Sequence, residues 1–247
     1  MGQRLGQHFL RGRSYLERIA AALAAWEAPT AIEIGAGAGA LTALLLERVP
    51  RLIAIELDPR LAAELRRRFA SQRNFTLIEA DVLATDLAQW GPVVVAGNLP
   101  YYITSPVIEK VLRLGPLLLG AVFLVQREVA ERLAAAPGTR DYGWLTVATQ
   151  LAADARILFG VPRSAFAPPP KVDSAVVRLA PHTRCGIEDR EGFLEFARLC
   201  FRHKRKTLRN NLAPVYGQAV EELPEASRRA EQLSVEELIT VYAHLRR

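Results

Sequence analysis

The chain has 247 residues, half of them hydrophobic and 23% charged, which supplies material for a core and excludes wholesale disorder. A formal net charge of +6 points to a polyanionic partner, and no apolar run reaches bilayer length, so no membrane role is expected. Residues 1–19 carry charge throughout, unlike a secretory signal, and Gly6 stands where a myristoylation site needs Ser or Thr. Two cysteines, Cys185 and Cys200, give neither a disulfide framework nor a metal site; a reduced, cytoplasmic compartment is the simple expectation, with Cys200 a buried small residue.

From residue 30 onward, short apolar runs alternate with helical periodicity. Residues 30–34 predict a strand, 41–48 a helix, 52–56 a strand, and 59–69 a helix with Pro59 in its first turn. Strands follow at 75–79 and 93–97, then a helix at 105–114, a strand at 121–126 and helices at 127–135 and 142–152. Two late extended segments, 156–159 and 175–179, predict an antiparallel hairpin at one sheet edge. This alternation predicts an α/β fold, a mostly parallel sheet covered on both faces. After Pro181 the strand-like runs stop. Residues 192–212 and 234–245 read as helical, the latter opened by a Ser234/Glu237 capping box. The expected domains are 1–181, binding the cofactor, and a small helical appendage, 182–247, binding RNA.

The first strand ends in Glu33-Ile34-Gly35-Ala36-Gly37-Ala38-Gly39, where glycines let the backbone turn closely around a ligand beside a helix N-terminus. The next strand ends in Glu56, followed by Leu57; an acid there can accept from both hydroxyls of a ribose. The third is followed by Asp81 and Val82, an acceptor for an adenine amine and a side chain to pack on its ring. Three successive strand ends thus present the groups that an adenosine-bearing cofactor requires. A glycine loop alone is weak evidence, because dinucleotide enzymes share it. The Gly-x-Gly-x-Gly spacing, the preceding Glu33 and the lack of a basic residue in the loop favour S-adenosylmethionine over NAD.

The fourth strand runs into Asn98-Leu99-Pro100-Tyr101. An adenine amine is a poor nucleophile, its lone pair delocalised into the ring. The Asn98 side-chain carbonyl and the Leu99 main-chain carbonyl can each accept one amine hydrogen and so direct the lone pair. Pro100 stiffens the loop, and Tyr101 can stack on the base. No tuned general base is evident, so catalysis would rest on orientation and electrostatics.

The Asn-Leu-Pro-Tyr loop resembles that of adenine-N6 methyltransferases. With Gly6-Gln7-His8-Phe9-Leu10, Gln126-Arg127-Glu128-Val129, Tyr142-Gly143, the segment from Phe166 to Val177 and that from Arg205 to Leu212, the chain resembles the small-subunit ribosomal RNA adenine dimethyltransferases linked to kasugamycin resistance. The resemblance implies dimethylation of two adjacent adenosines near the 3′ end of 16S rRNA during ribosome biogenesis, by a monomer acting on the immature 30S particle. It also implies a Rossmann-like class I domain and cofactor contacts from His8, Leu10, Gly35, Gly37, Glu56, Asp81 and Asn98. Phe166 would be a second aromatic wall that sandwiches the flipped base against Tyr101. His8 stands where many members have Asn, Tyr102 where Asn is frequent, and Ala36 where Pro is common.

On a single helix through 196–212, Arg198, Arg202, Arg205 and Arg209 would form one stripe, joined by Lys206, with no acid between Ala197 and Val220. Such a stripe suits RNA phosphates. Rival readings are a large-subunit adenine methyltransferase of the macrolide-resistance type, an assembly factor acting mainly by binding, and an NAD oxidoreductase.

Overall fold

The structure, a computed structural model, describes residues 8–183 and 186–246. Arg4, Gly6, Gln7 and Cys185 lie outside the described residues. By its internal contacts the chain forms two compact units, residues 1–130 with 154–181, and residues 131–153 with 182–247. Residues 131–153, which the sequence reading keeps in the first domain, therefore pack with the C-terminal unit.

In chain order the first part of the fold comprises β1 (Phe9–Leu10), α1 (Arg13–Ala24), β2 (Ala31–Ile34), α2 (Ala40–Leu46), β3 (Leu52–Glu56), α3 (Pro59–Arg68), β4 (Phe75–Glu79), β5 (Val93–Asn98), α4 (Thr104–Leu112), β6 (Leu118–Gln126) and α5 (Arg127–Leu133). After α6 (Trp144–Gln150) come β7 (Ala153–Val161), β8 (Phe166–Ala167) and β9 (Ser174–Pro181). Seven strands form one sheet in the order β4-β3-β2-β5-β6-β9-β7, while β1 pairs with β8 apart from it. The neighbours from β4 through β6 are parallel, and β9 returns antiparallel to β6. The two late strands lie at one edge as expected from sequence, with β9 inserted between β6 and β7.

The central strands are buried nearly throughout, as their high Val, Ile, Leu and Ala content requires of parallel strands covered on both faces. Leu23, Leu45, Leu52, Val122 and Val176 join in a core between the sheet and α1–α2. Asp58 caps α3 by accepting from the Arg60 amide at 2.9 Å, with Pro59 at the first helical position. Strand order reverses between β2 and β5: β3 and β4 run out on one side, β6 on the other. A crevice opens at the carboxyl ends of strands at such a point.

The second unit has its own core, in which Phe193, Phe196, Cys200, Leu208, Leu212, Leu238 and Tyr242 are buried. Its main helices besides α6 are α7 (Arg190–Cys200), α8 (Leu208–Tyr216) and α9 (Val235–Leu245). Ser234 opens α9 through the predicted capping box, with the Ser234 amide donating to Glu237 at 2.7 Å and the Glu237 amide to the Ser234 hydroxyl at 3.2 Å. Burial pushes the Cys200 thiol well above the ordinary range, as expected of an inert core residue.

The single helix expected through 196–212 is not formed. α7 ends at Cys200, residues 201–207 turn, and α8 begins at Leu208 with Thr207 as its cap. The cause is Asn211, buried to 4% exposure. Its amide nitrogen donates to the carbonyls of Cys200 at 2.9 Å and His203 at 3.2 Å, while its oxygen accepts from the His203 amide at 3.1 Å. The side chain thus satisfies the main-chain groups that a helix end leaves orphaned.

Candidate active site

A cavity occupies the crevice at the ends of β2, β3, β4 and β5. His8, Leu10, Gly35, Gly37, Glu56, Leu57, Asp81, Val82 and Asn98, all expected to meet the cofactor, line it together with Leu99, Pro100 and Tyr101 of the reaction loop. Parallel pairing explains the convergence: Ile34 lies beside both Ile55 and Gly97, and Glu56 beside Glu79, so successive strand ends finish level.

Gly35 and Gly37 have φ of +70° and +58°, a region that L side chains rarely enter. A Cβ on Gly37 would also sit 3.1 Å from the Phe9 ring. With that space kept open, the Gly37 amide donates to one oxygen of Glu56 at 2.8 Å, and the Asp58 amide donates to the other at 2.9 Å. Each oxygen keeps a second lone pair, so the held carboxylate can accept from two neighbouring hydroxyls. Asp81 accepts from the Leu83 amide through Oδ1 at 2.8 Å, and Val82 is buried beside it. Among the described residues, no Lys or Arg lines the cavity. The described donor set fits an adenosine carrying a sulfonium.

Glu33 lies under this loop at 2% exposure and accepts from the Thr42 hydroxyl at 2.6 Å. Burial pushes its carboxyl up to about 8; the Thr42 bond opposes the rise and the neighbouring Glu56 charge adds to it. Glu33 therefore ties β2 to α2 as a neutral acid at neutral pH.

In the reaction loop, the Asn98 amide nitrogen donates to the main-chain carbonyl of His8 at 2.9 Å. That bond sets which way the amide faces and reserves its oxygen as an acceptor. The Pro100 carbonyl is engaged by the Ile103 amide and the Thr104 hydroxyl, both at 3.1 Å. The Leu99 amide donates to the Leu124 carbonyl at 3.1 Å, which pins the loop to β6. Tyr101 shares a hydrogen bond with the Ser174 hydroxyl at 2.9 Å, and burial raises its phenol above the ordinary value, keeping it neutral.

A model of the family described as ribosomal RNA adenine dimethylase matches residues 2–246. The chain belongs to that family. It is 44% identical over 256 residues to a ribosomal RNA small subunit methyltransferase A of Acidobacterium capsulatum, covering 98% of this chain and 90% of the relative. It is 42% identical over 244 residues to the protein of that name from Chlorobium luteolum, covering 97% and 88%. Among solved structures, a dimethyladenosine transferase from Plasmodium falciparum superposes with a TM-score of 0.85 at 27% identity, covering 97% of this chain and 98% of that one. The 23S rRNA methyltransferase ErmE superposes at 0.73 with 28% identity, covering 97% and 100%. The enzyme is accordingly an S-adenosylmethionine-dependent rRNA adenine dimethyltransferase with a class I methyltransferase fold.

One expected member of this dimethyltransferase's active site is absent from the cavity. Phe166 is 4% exposed and belongs to the core with Leu10, Leu16 and Val161. The pairing of Leu10 with Phe166 between β1 and β8 turns it inward. The ring stacked on Tyr101 is instead His8, with centroids 5.8 Å apart and planes at 28°. His8 Nδ1 lies 2.8 Å from the Pro168 carbonyl, which can only accept, so that nitrogen carries the hydrogen. Sequence reasoning missed Ser174 as the anchor of Tyr101 and the His8 carbonyl as the anchor of Asn98. Both contacts join segments far apart in the chain, and no periodicity reports them.

The basic residues of the second unit do not make one stripe. Arg198 lies over the Trp144 ring, 4.1 Å from its centroid. Arg209 pairs with Glu221 at 2.9 Å. Arg202, Arg205 and Lys206 stand exposed on the turn between α7 and α8. Among the described residues, no group of His, Cys, Asp and Glu could hold a metal ion, and no helix is long and apolar enough to cross a membrane.

Proposed function

We propose that the enzyme dimethylates the exocyclic amines of two adjacent adenosines near the 3′ end of 16S rRNA, acting as a cytoplasmic monomer on the immature 30S particle. The observation that carries this reading is the Asn98 amide, fixed by the His8 carbonyl beside the half-buried Tyr101. Asn98 Oδ1 and the Leu99 carbonyl accept the two amine hydrogens, and the nitrogen lone pair is then directed at the methyl group. Tyr101 stacks on the base, and Pro100 keeps the loop from relaxing. His8, Leu10, Gly35, Gly37, Glu56, Leu57, Asp81 and Val82 hold the cofactor, which supplies a sulfonium-activated methyl. The methylated nitrogen loses its proton to water, so no side chain is needed as a base.

Relatives named for the small subunit, at 39–44% identity, support that substrate over the large subunit. The exposed Arg202, Arg205 and Lys206 are the phosphate contacts of the second unit. Mass spectrometry of rRNA from cells lacking and then regaining the gene tests the assignment. Dimethyladenosine should vanish from and return to 16S rRNA; loss from 23S rRNA alone would establish the macrolide-resistance type instead.

A further inference from the structure

Few large hydrophobic side chains are exposed among the described residues, and two of them line the active-site cavity: Leu57 at 46% exposure and Tyr102 at 63%. Tyr102 occupies the short helical turn Tyr101–Ile103 directly after the reaction loop. Its neighbour Tyr101 is half-buried, stacked on His8 and bonded to Ser174. Tyr102 makes no such commitments: among the described residues its hydroxyl has no hydrogen-bond partner. Two consecutive aromatics thus divide, one anchored inside the cavity and one presented to solvent at its rim.

We propose that Tyr102 is a binding subsite for the nucleobase next to the one being methylated. Extruding an adenine removes the stacking partner of its neighbour, and that neighbour then exposes a π-face beside the cavity. A solvent-facing aromatic ring at the rim replaces the lost stack, as aromatic platforms do along single-stranded nucleic acids. The subsite rests on the reading of adjacent adenosines in rRNA. It also gives a solvent-exposed phenol a role that core packing does not supply. Stacking needs the ring and not the hydroxyl, so Tyr102→Phe should retain the subsite while Tyr102→Ala and Tyr102→Asn remove it.

The test is steady-state methylation of purified, unmethylated small subunits by the full-length enzyme and these three variants, with cofactor affinity measured in parallel. Tyr102→Ala and Tyr102→Asn should raise KM for the subunit by about five- to a hundredfold, the range of one lost base–aromatic stack, with kcat and cofactor Kd unchanged. Tyr102→Phe should match wild type. A wild-type KM in Tyr102→Ala, or a Tyr102→Phe variant as impaired as Tyr102→Ala, overturns the subsite. If wild-type enzyme methylates only large subunits, the small-subunit reading fails, and the same comparison on large subunits decides the role of Tyr102.

Discussion

Asn98 and His8, 90 residues apart, meet through one hydrogen bond of 2.9 Å from side-chain amide to main-chain carbonyl. The bond ties the residue just before β1 to the reaction loop. Asn98→Ala removes both this anchor and the proposed amine acceptor, and should slow methyl transfer about a hundredfold or more. Asn98→Asp is more discriminating. A carboxylate keeps the shape but cannot donate to the His8 carbonyl, so turnover should fall although an acceptor remains. Single-turnover methyl incorporation into undermethylated small subunits measures both. A wild-type rate in Asn98→Ala would remove this loop from the mechanism.

Glu56 receives two main-chain amides and faces the cavity. Glu56→Ala should weaken S-adenosylmethionine binding by roughly 1.5–3 kcal/mol, the range for a lost hydrogen bond to a charged group. Calorimetry would show it. Unchanged affinity would mean that the carboxylate only organises the glycine loop.

Glu33 makes the fold sensitive to pH in an unusual direction. Its carboxyl titrates near 4.5 in an unfolded chain and at about 8 in the native state. Between those values the unfolded chain is ionised while the native one must hold the proton. Stability therefore declines as pH rises from about 4.5 and levels off above about 8, by at most ~5 kcal/mol from this group. Glu33→Gln keeps an acceptor for Thr42 and abolishes the titration. Its melting temperature should exceed that of wild type at pH 8 and converge on it near pH 4. Parallel pH profiles for the two proteins would show that Glu33 does not titrate in this way.

The turn between α7 and α8 gives a prediction about RNA. Replacing Arg202 and Arg205 together by Gln should reduce the log–log salt slope of RNA binding by about two, with cofactor affinity unchanged. Filter binding across a salt series measures it. A wild-type slope would mark these arginines as solvated surface only.

Asn211 holds that turn, and Asn211→Ala would leave the buried Cys200 carbonyl and the part-buried main-chain groups of His203 without their partner. Stability should fall by about 1–3 kcal/mol in denaturant unfolding. RNA affinity should drop as well, because the turn that presents the arginines loses its clamp. A stable variant with weakened RNA binding would separate the two effects.

Much of the enzyme is legible in the sequence because local rules decide it. The apolar runs at β2, β3 and β5 are long enough and flanked closely enough to read only as buried strands. The glycines at 35 and 37, the acids at 56 and 81 and the loop from Asn98 to Tyr101 fall at strand ends, and a parallel sheet necessarily brings those ends to one edge. What the tertiary structure alone decided depends on contacts between distant segments. Pairing of β1 with β8 turned Phe166 into the core and brought His8 against Tyr101. A buried Asn211 broke what periodicity presents as one helix, since a side chain that satisfies helix-end carbonyls outweighs the small intrinsic preference for continuing the helix. Residues 131–153 joined the second unit because Tyr142, Val147 and Leu151 bury themselves in its core, a choice of partner that composition does not encode.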